Sequence, residues 1–273
     1  MGQPAGMTDP IAPLVTALHG EGRLRLWSLV ITAFGDLVQH RGGEISTARL
    51  KLLMGRIGVE QGTLRTALSR LGQDGWVSST RQGRLSLYRL TPEGLAKFGP
   101  ATTRIYAPPR AGAVDLWRLS VVPQLGGGAQ IALTPADGPA PEAALSVIGA
   151  LESLTPEWRA SLISEAHHAA LLALERDLDS LARAPEPDPL GAAAARMLLI
   201  HRWRRIVLRY PEYPPEILPQ GTPLPDARAR VARAYARLAA PAEAWLDSSA
   251  DGLPAMPDPN GDVAQRFRST DGA

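Results

Sequence analysis

The sequence predicts an α+β protein that is mostly helical. Three observations predict this class. Apolar residues recur at helical spacing through most of the first 75 residues and again after residue 155. Short alternating runs separated by glycine-containing turns lie between these regions and predict β-strands. Proline-rich breaks at residues 107–112 and 185–189 predict connections between the structured parts.

Charge is unevenly distributed along the chain. The 273 residues carry a net charge of +2, but residues 22–99 contain 12 Lys and Arg against five Asp and Glu, a net charge of +7. The remainder of the chain therefore carries −5. A basic segment of this kind suits a polyanion, because each phosphate that it neutralises releases condensed counterions. The segment is a candidate nucleic-acid-binding module.

The basic segment contains three predicted helices, which cover residues 24–38, 48–57 and 60–74. The first ends at the Gly42-Gly43 pair. Ser46 or Thr47 supplies the N-cap of the second, because a side-chain oxygen there accepts a hydrogen bond from a free backbone N–H. Gly58 forms the turn before the third helix. Gly75 ends that helix, as expected of a residue at the C′ position.

A predicted hairpin follows the three helices. Residues 76–80 and 85–90 alternate between apolar and polar side chains and flank a short glycine-containing turn. Thr91 and Pro92 then begin another helix, with proline at its first position. Three helices followed by a basic hairpin is the order of a winged helix-turn-helix, which we predict over residues 22–106.

The third predicted helix has two distinct sides. One is apolar, with residues at helical spacing: Leu64, Ala67, Leu68 and Leu71. The other has small polar side chains and arginines, and no acid before Asp74. Arginine can form two hydrogen bonds to a guanine edge, and Thr or Ser can contact phosphates or bases. The candidate DNA contacts on this helix and on the hairpin turn are Thr63, Arg65, Thr66, Ser69, Arg70, Arg81 and Arg84.

Other interpretations of the basic segment stay open at this point. Arg49, Lys51 and Arg56 on the second helix either contact backbone phosphates or form a solvated face. The segment as a whole is alternatively a protein-interaction module with no effector ligand. Steep salt dependence of DNA binding would separate the two functions. A third class, an enzyme acting on nucleic acid, would be revealed by metal-dependent cleavage.

The rest of the chain divides into four further segments. We expect an N-terminal arm with a short helix over residues 1–21 and a short α+β domain over 113–153, in which residues 143–148 are either helix or strand. A helical domain is predicted over 154–247, and its last helix begins near Asp226 and ends before Pro241. Residues 248–273 are predicted to be a disordered tail.

Several classes of function are excluded. The sequence has no cysteine, which rules out disulfides, thiolate nucleophiles and cysteine-ligated zinc. Glu165 and His168 form one Glu-x-x-His pair, whereas a di-iron bundle needs two. The sequence contains no Gly-x-Ser-x-Gly elbow. We therefore expect a protein that is not an enzyme and has no metal or resident cofactor. No apolar run approaches the ~20 residues of a membrane span, and no signal peptide is evident, so we expect a cytoplasmic protein.

Two groups of motifs resemble the phenylacetate-degradation operon repressor (PaaX) family. The C-terminal group is residues 196–219, in which Leu199-Ile200-His201 is followed by Arg204-Arg205 and a proline-rich stretch. The N-terminal group comprises residues 31–36, 41–43, 64–71, 75–76 and 88–91. Both groups occur in the order of the family, but Tyr210 replaces the aspartate that the family usually has before proline.

The resemblance implies a dimeric, ligand-responsive transcriptional regulator. Its inducer would be phenylacetyl-CoA or another acyl-CoA, and its partners would be double-stranded operator DNA, a second copy of the chain and the effector. The resemblance also implies a ferredoxin-like (Cas2-like) middle domain, here reduced to two strands and a glycine turn. We therefore expect a homodimeric repressor of a catabolic operon, which leaves its operator when a CoA thioester or a related acidic metabolite binds.

The basic helix in residues 196–209 is a candidate site for that ligand. Residues four apart on a helix share a face, so His201, Arg205 and Arg209 can converge, and Arg202 adds a further positive charge. These residues would contact CoA phosphates or a carboxylate. The alternative is that the arginines pair with acids such as Asp177 or Asp179 on the preceding helix and that His201 is a packing residue.

Overall fold

The computed structural model describes residues 9–22, 24–83, 85–124, 127–249 and 253–268. The fold is mixed α+β with more helical than extended residues, as the sequence predicts. The chain divides into two compact units. The first unit contains Met1–Pro109, Ala170–Pro211 and Asp226–Ala273, and the second contains Arg110–Ala169 and Glu212–Pro225.

The helices and strands are as follows. The helices in the described ranges are α1 (Ala12–Gly20), α2 (Leu26–Ala33), α3 (Thr47–Arg56), α4 (Gln61–Gln73), α5 (Pro92–Ile105), α6 (Pro156–Ser161), α7 (Glu165–Arg183), α8 (Pro189–Val207), α9 (Ala227–Asp247) and α10 (Asp262–Gln265). The strands are β1 (Glu44–Ser46), β2 (Val77–Gln82), β3 (Leu85–Leu90), β4 (Trp117–Pro123), β5 (Ala129–Pro135) and β6 (Leu145–Gly149). A π-helix (Phe34–Val38) and a 3₁₀-helix (Gln39–Arg41) continue α2, and a second 3₁₀-helix covers Pro215–Ile217. Within the described ranges, no helix combines the length and apolar character needed to cross a bilayer.

The three predicted helices of the basic segment correspond to α2, α3 and α4. Ser46 caps α3, because its Oγ accepts a hydrogen bond from the backbone N–H of Arg49 at 3.1 Å. Gly58, between α3 and α4, has a φ of +79°, a conformation that glycine adopts without a Cβ clash. The apolar side of α4 packs against α2 and α3, so burial of that side fixes the rotation of α4.

A Schellman motif ends α4. The backbone N–H of Gly75 donates to the carbonyl of Gly72 at 3.2 Å, and that of Trp76 donates to the carbonyl of Leu71 at 2.8 Å. The prediction that Gly75 ends this helix is confirmed. The Thr91 hydroxyl, which caps α5, donates to the Gly75 carbonyl at 2.5 Å, so α5 begins at the end of α4.

The predicted hairpin is confirmed. Strands β2 and β3 pair antiparallel with Gln82 opposite Leu85, and β1 pairs with the other edge of β3. The sheet order is therefore β1-β3-β2. The predicted short N-terminal helix is also confirmed as α1, because Ile11, Leu14 and Leu18 are buried. Residues 1–8 of the predicted arm lie outside the described residues.

Helix α8 is apolar on nearly all sides and is surrounded by the first unit. Ala192, Met197, Leu199 and Trp203 are each at most 1 % exposed, and α8 contacts α2, α3, α5 and α9. A helix that is apolar all round has to be buried. The predicted boundary between a domain over residues 22–106 and a helical domain over 154–247 is therefore wrong, because α8 is part of the same compact unit as α2–α5.

Helix α9 does not end before Pro241, as predicted, but continues to Asp247. Proline inside a helix removes one backbone hydrogen bond, at a typical cost of about 3 kcal/mol. The turn after Pro241 buries Ala242, Trp245 and Leu246. Burial of these side chains offsets the cost of the proline and keeps the helix intact.

The prediction of a disordered tail over residues 248–273 is wrong for residues 253–268. Leu253, Met256 and Phe267 are buried on the first unit. The backbone N–H of Phe267 donates to the carbonyl of Tyr106 at 2.8 Å, and their rings lie 5.5 Å apart, edge to face. These apolar residues are too widely spaced to give a periodic pattern, which is why the sequence did not predict their order.

The second unit contains a three-stranded antiparallel sheet with the order β5-β4-β6. Residues 145–149 form a strand, which settles the helix-or-strand alternative for residues 143–148. In the described part of residues 113–153 the three strands follow one another without a helix, so the segment has no ferredoxin-like βαβ crossover. Two residues of the predicted glycine turn, 125 and 126, lie outside the described residues.

The long helix predicted to run from Thr155 to near Arg183 is instead two helices. Thr155 caps α6 through a hydrogen bond from the backbone N–H of Trp158 at 3.2 Å. Ser164 starts α7, because its Oγ accepts a hydrogen bond from the backbone N–H of His167 at 3.2 Å. A second capping residue inside the apolar pattern therefore divides the helix.

Candidate nucleic-acid interface

Helix α4 presents an exposed polar face. Its five predicted DNA contacts are all exposed: Thr63, Arg65, Thr66, Ser69 and Arg70. Its four predicted core residues are at most 8 % exposed: Leu64, Ala67, Leu68 and Leu71. The division of this helix into two sides is therefore as the sequence predicts.

The exposed face of α4 is positively charged. Within the described ranges, neither Arg65 nor Arg70 has an acidic partner, and α4 itself contains no Asp or Glu. The Thr66 hydroxyl donates to the Gly62 carbonyl at 3.1 Å, which leaves its oxygen free to accept a hydrogen bond. The face thus combines two guanidinium groups with three small hydroxyl side chains, a set that can contact phosphates and base edges.

The hairpin extends this basic surface. Arg81 is exposed in β2, and its Nε donates to the Gly83 carbonyl at 3.3 Å. Arg84 lies outside the described residues. Arg89 on β3 forms an ion pair with Glu44 across the sheet, at 2.5 Å between Nη2 and Oε1, so it is less available to a phosphate than Arg81.

Two of the three basic residues of α3 are engaged within the protein. Arg49 is 2 % exposed and donates to the carbonyls of Trp245 and Ser248, each at 2.7 Å. Arg56 pairs with Asp9 at 2.6 Å. Lys51 is exposed. Of the alternatives left open for α3, a phosphate contact therefore remains possible only for Lys51.

The structure does not support the predicted ligand site on α8. Arg202 pairs with Asp177 and Glu21, and Arg205 pairs with Glu21 at 2.6 Å. The Arg209 guanidinium lies 5.3 Å from the centre of the Tyr210 ring. Acids from neighbouring elements thus neutralise the first two arginines, which was the alternative interpretation for them.

His201 is a packing residue of α8. It is 6 % exposed, and its Nδ1 lies 3.1 Å from the Thr32 hydroxyl. Burial and the neighbouring Arg204 and Arg205 lower its pKa to about 3, so the ring is neutral near pH 7. The cavity beside it has a volume of about 10 Å³, which is room for one water molecule and not for a CoA ester.

A buried network of charges holds the first unit together. Arg196 is fully buried and donates to Asp36 at 3.0 Å and to Glu243 at 2.7 Å. Arg41 is bonded to the second oxygen of Glu243 at 2.7 Å. Arg266, from the C-terminal segment, lies 3.1 Å from the second oxygen of Asp36. Residues from four distant parts of the sequence are joined in this way.

The network keeps its members charged. Burial alone would raise the pKa of Asp36, but Arg196 and Arg266 outweigh burial and hold that pKa below its usual value. Burial would likewise raise the pKa of Glu243, but the hydrogen bond from His40 and the charge of Arg196 lower it strongly. Breaking such a pair leaves an uncompensated buried charge, so these residues are structural.

Sequence reasoning missed this network. Asp36 and Arg41 are isolated charges beside an apolar run, and Glu243 follows Pro241, where the helix was predicted to have ended. The available signal was a charge inside an apolar stretch, since Asp36 and Arg196 each interrupt a run of apolar residues. Buried charges are almost always paired, but nothing in the sequence identifies the partner.

Comparisons with known proteins identify a family for the whole chain. Residues 25–94 match the family model of the PaaX-like protein. Residues 158–248 match the PaaX-like protein C-terminal domain. The two segments together cover more than half of the chain.

A curated relative and a solved structure are similar to the chain. The transcriptional repressor PaaX of Escherichia coli (strain K12) is 28% identical over 281 residues, which cover 88% of this chain and 89% of the relative. The uncharacterized protein Rv0674 from Mycobacterium tuberculosis is 18% identical with a TM-score of 0.47, over 80% of this chain and 97% of that one. With both family models matched in order, the chain belongs to the PaaX-like family, a family of transcriptional regulators and not of enzymes.

Proposed function

We propose that this protein is a homodimeric transcriptional repressor of a phenylacetate-type catabolic operon, acting in the cytoplasm. Residues 22–106 form a winged helix-turn-helix that binds double-stranded operator DNA. The observation that carries the proposal is the exposed face of α4, on which Arg65 and Arg70 have no acidic partner among the described residues. Arginines without acidic partners are available to phosphates and base edges.

In this proposal α4 enters the major groove. Arg65 and Arg70 read or clamp the DNA, and Thr63, Thr66 and Ser69 contact phosphates or base edges. The hairpin turn contacts the backbone or the minor groove through Arg81 and Arg84. The Schellman motif at Gly75 supports this arrangement, because it fixes where the helix ends and the hairpin begins.

A second copy of the chain is the proposed partner. The sheet of the second unit has an apolar face on which directly opposed residues share a side, among them Leu119 opposite Val147 and Val121 opposite Ile131. Ile131 is 69 % exposed and Val147 is 56 % exposed. A contiguous exposed apolar face is typical of a protein interface. Two-fold symmetry would make the operator an inverted repeat with half-sites ~34 Å or a multiple of it apart.

The proposed effector is phenylacetyl-CoA or another acyl-CoA. It releases the repressor by binding more tightly to a conformation whose two α4 helices do not match the half-site spacing. Coupling free energies of this kind are typically about 1–3 kcal/mol, or 5- to 150-fold in affinity. By linkage, the operator weakens effector binding by the same factor.

A gel-shift titration on DNA from the protein's own upstream region, with and without phenylacetyl-CoA, tests the proposal. Specific binding that the ligand releases is the expected result. Specific binding that ignores the ligand would keep the repressor and remove this inducer. Absence of specific binding at low salt would contradict DNA binding and favour a protein-interaction module.

A further inference from the structure

An open cleft of about 470 Å³ lies in the first unit. The 3₁₀-helix residues Gln39 and His40 line it together with Gly35 of the π-helix, and we call it the π-helix cleft. Phe98 and Tyr106 line it from α5 and the residue that follows, and Arg266 lines it from the C-terminal segment. Its volume lies within the ~300–1,000 Å³ that is usual for small-molecule sites.

Two polar atoms of the cleft residues have no partner among the described residues. These are Nε2 of Gln39 and Nδ1 of His40, and both are buried. Buried polar atoms in native proteins are nearly always hydrogen-bonded, so each exception needs an explanation. Two such atoms on consecutive residues, both lining one cleft, point to a ligand that satisfies them.

The two atoms differ in kind. Nε2 of His40 lies 3.1 and 3.2 Å from the two carboxylate oxygens of Glu243, and a carboxylate only accepts, so Nε2 carries the proton. Burial lowers the pKa of His40 despite Glu243, which makes the ring neutral near pH 7. Nδ1 of His40 is therefore an acceptor, whereas Nε2 of Gln39 is a donor. The pair is complementary to a group that both donates and accepts, such as a secondary amide.

The rest of the cleft suits an apolar group. The Phe98 ring lies directly on Gly35, where an added Cβ would be 2.1 Å from Cζ of the ring. The Tyr106 hydroxyl is occupied by Asp36 at 2.8 Å, and the Arg266 guanidinium lies over the Tyr106 ring at 4.4 Å. Both rings thus offer apolar surface to a ligand, while their polar neighbours are already paired. A π-helical segment, which forms one side of this cleft, is frequent at functional sites.

We propose that the π-helix cleft is the effector site, and that it takes a small molecule with an apolar ring or chain beside an amide-type group. The inference rests on the proposed function, because it gives the effector of that repressor a place. Phenylacetyl-CoA has this chemistry in its phenyl ring and in the amides of its pantetheine arm. The site is distinct from the α8 arginines that the sequence suggested.

The cleft is connected to the DNA-binding helix. One wall is α5, whose N-cap Thr91 donates to the Gly75 carbonyl at the end of α4. The facing segment is held to the same region, because Arg266 donates to the Gly35 carbonyl at 3.0 Å. A ligand that moves α5 relative to this segment therefore changes the position of the α4 terminus, which gives the effector a physical route to the operator.

Direct binding of phenylacetyl-CoA to the full-length protein without DNA, measured by titration calorimetry, tests the site. Gln39→Leu removes the free donor and Thr103→Trp fills the cleft from an exposed position. Both should weaken binding about 10-fold or more. Arg205→Ala, in the α8 site, is the matched control and should bind within about twofold of the wild type.

A thermal melt separates a ligand role from a structural one. Nε2 of Gln39 has no partner to lose, so the Gln39→Leu protein should unfold at or above the wild-type temperature. A lower melting temperature together with unchanged ligand affinity would overturn the proposal. So would unchanged affinity in the Thr103→Trp protein, or a wild type that does not bind phenylacetyl-CoA.

Operator binding distinguishes failure of this inference from failure of the repressor proposal. The Gln39→Leu and Thr103→Trp proteins should bind operator DNA like the wild type, and phenylacetyl-CoA should no longer release them. Ligand binding without DNA binding in the wild type would contradict the repressor and keep the cleft. DNA release that survives both substitutions would place the effector elsewhere and overturn the inference.

Discussion

Helices α4 and α8 are both rich in arginine, but they use it in opposite ways. On α4, Arg65 and Arg70 are exposed and have no acidic partner within the described ranges. On α8, Arg196 is fully buried between Asp36 and Glu243, and Arg202 is paired with Asp177. The same side chain therefore forms a binding surface in one helix and an internal brace in the other.

The difference lies in the acids that the fold brings to each helix. Helix α4 packs its apolar side inward and receives no carboxylate on its exposed face. Helix α8 is buried on most sides and meets acids from the π-helix, from α7 and from α9. Counting basic residues along a helix does not identify a binding site, because paired charges contribute little field to a polyanion.

The largest expected effect comes from breaking the brace. Arg196→Met leaves Asp36 and Glu243 short of a buried partner and should lower the free energy of unfolding by about 3–5 kcal/mol. Urea unfolding followed by circular dichroism measures the loss. Arg205→Met on the same helix is the control, because its exposed ion pair contributes about 0–1 kcal/mol. Equal losses in the two variants would contradict the comparison.

The second effect concerns the exposed face. Arg65→Ala should weaken operator binding by about 1–3 kcal/mol if this arginine reads a base, with no change in the melting temperature. Arg183→Ala is the matched control, since Arg183 is 78 % exposed on α7. Fluorescence anisotropy with operator and shuffled DNA measures both. An equal loss on the two DNAs makes Arg65 a phosphate contact, and unchanged binding removes it from the interface.

A third prediction uses the buried histidine of α8. The pKa of His201 is about 3 in the folded protein and about 6.5 in an unfolded chain. Between these values the unfolded chain binds a proton that the folded protein does not, so stability falls as the pH is lowered. From pH 7.5 to 5.5 this residue should cost about 1 kcal/mol.

Comparison with a His201→Asn variant isolates that contribution. His40 and His167, whose pKa values burial also lowers, are present in both proteins. Unfolding free energies at pH 7.5, 6.5 and 5.5 should therefore converge as the pH falls, because the variant lacks the loss due to His201. Parallel pH profiles would show that His201 is not buried as a neutral ring.

The smallest effect is expected at the hairpin. Arg81→Ala should weaken binding to all DNA sequences uniformly and reduce the slope of log affinity against log salt by about 1. Anisotropy titrations at four salt concentrations measure this slope. An unchanged slope would place Arg81 outside the interface and restrict the DNA contacts to α4.

The parts of the molecule that local sequence determines were predictable. The two sides of α4, the cap at Ser46, the end at Gly75 and the hairpin each depend on residues a few positions apart. Their signals are spacing and capping, which need no knowledge of the tertiary structure. The candidate DNA-binding face was predictable for this reason.

The brace and the cleft were not predictable, because their residues are distant in sequence. Arg41 and Glu243 are 202 residues apart, and Arg266 and Asp36 are 230 apart. Pro241 obscured the turn that carries Glu243. The apolar residues of the C-terminal segment are isolated and show no period. The basic character of α8 was readable, but the acids that neutralise it come from tertiary packing.

The most direct test of the central claim is the salt dependence of binding to DNA from the protein's own upstream region. The wild type should bind with a steep negative slope of log affinity against log salt. The Arg65→Ala/Arg70→Ala protein should lose at least about tenfold in affinity and slope, whereas Arg202→Ala, if it folds, should retain both. Weak binding at every salt concentration, or equal losses in the α4 and α8 variants, would contradict the assignment of α4 as the DNA-binding helix.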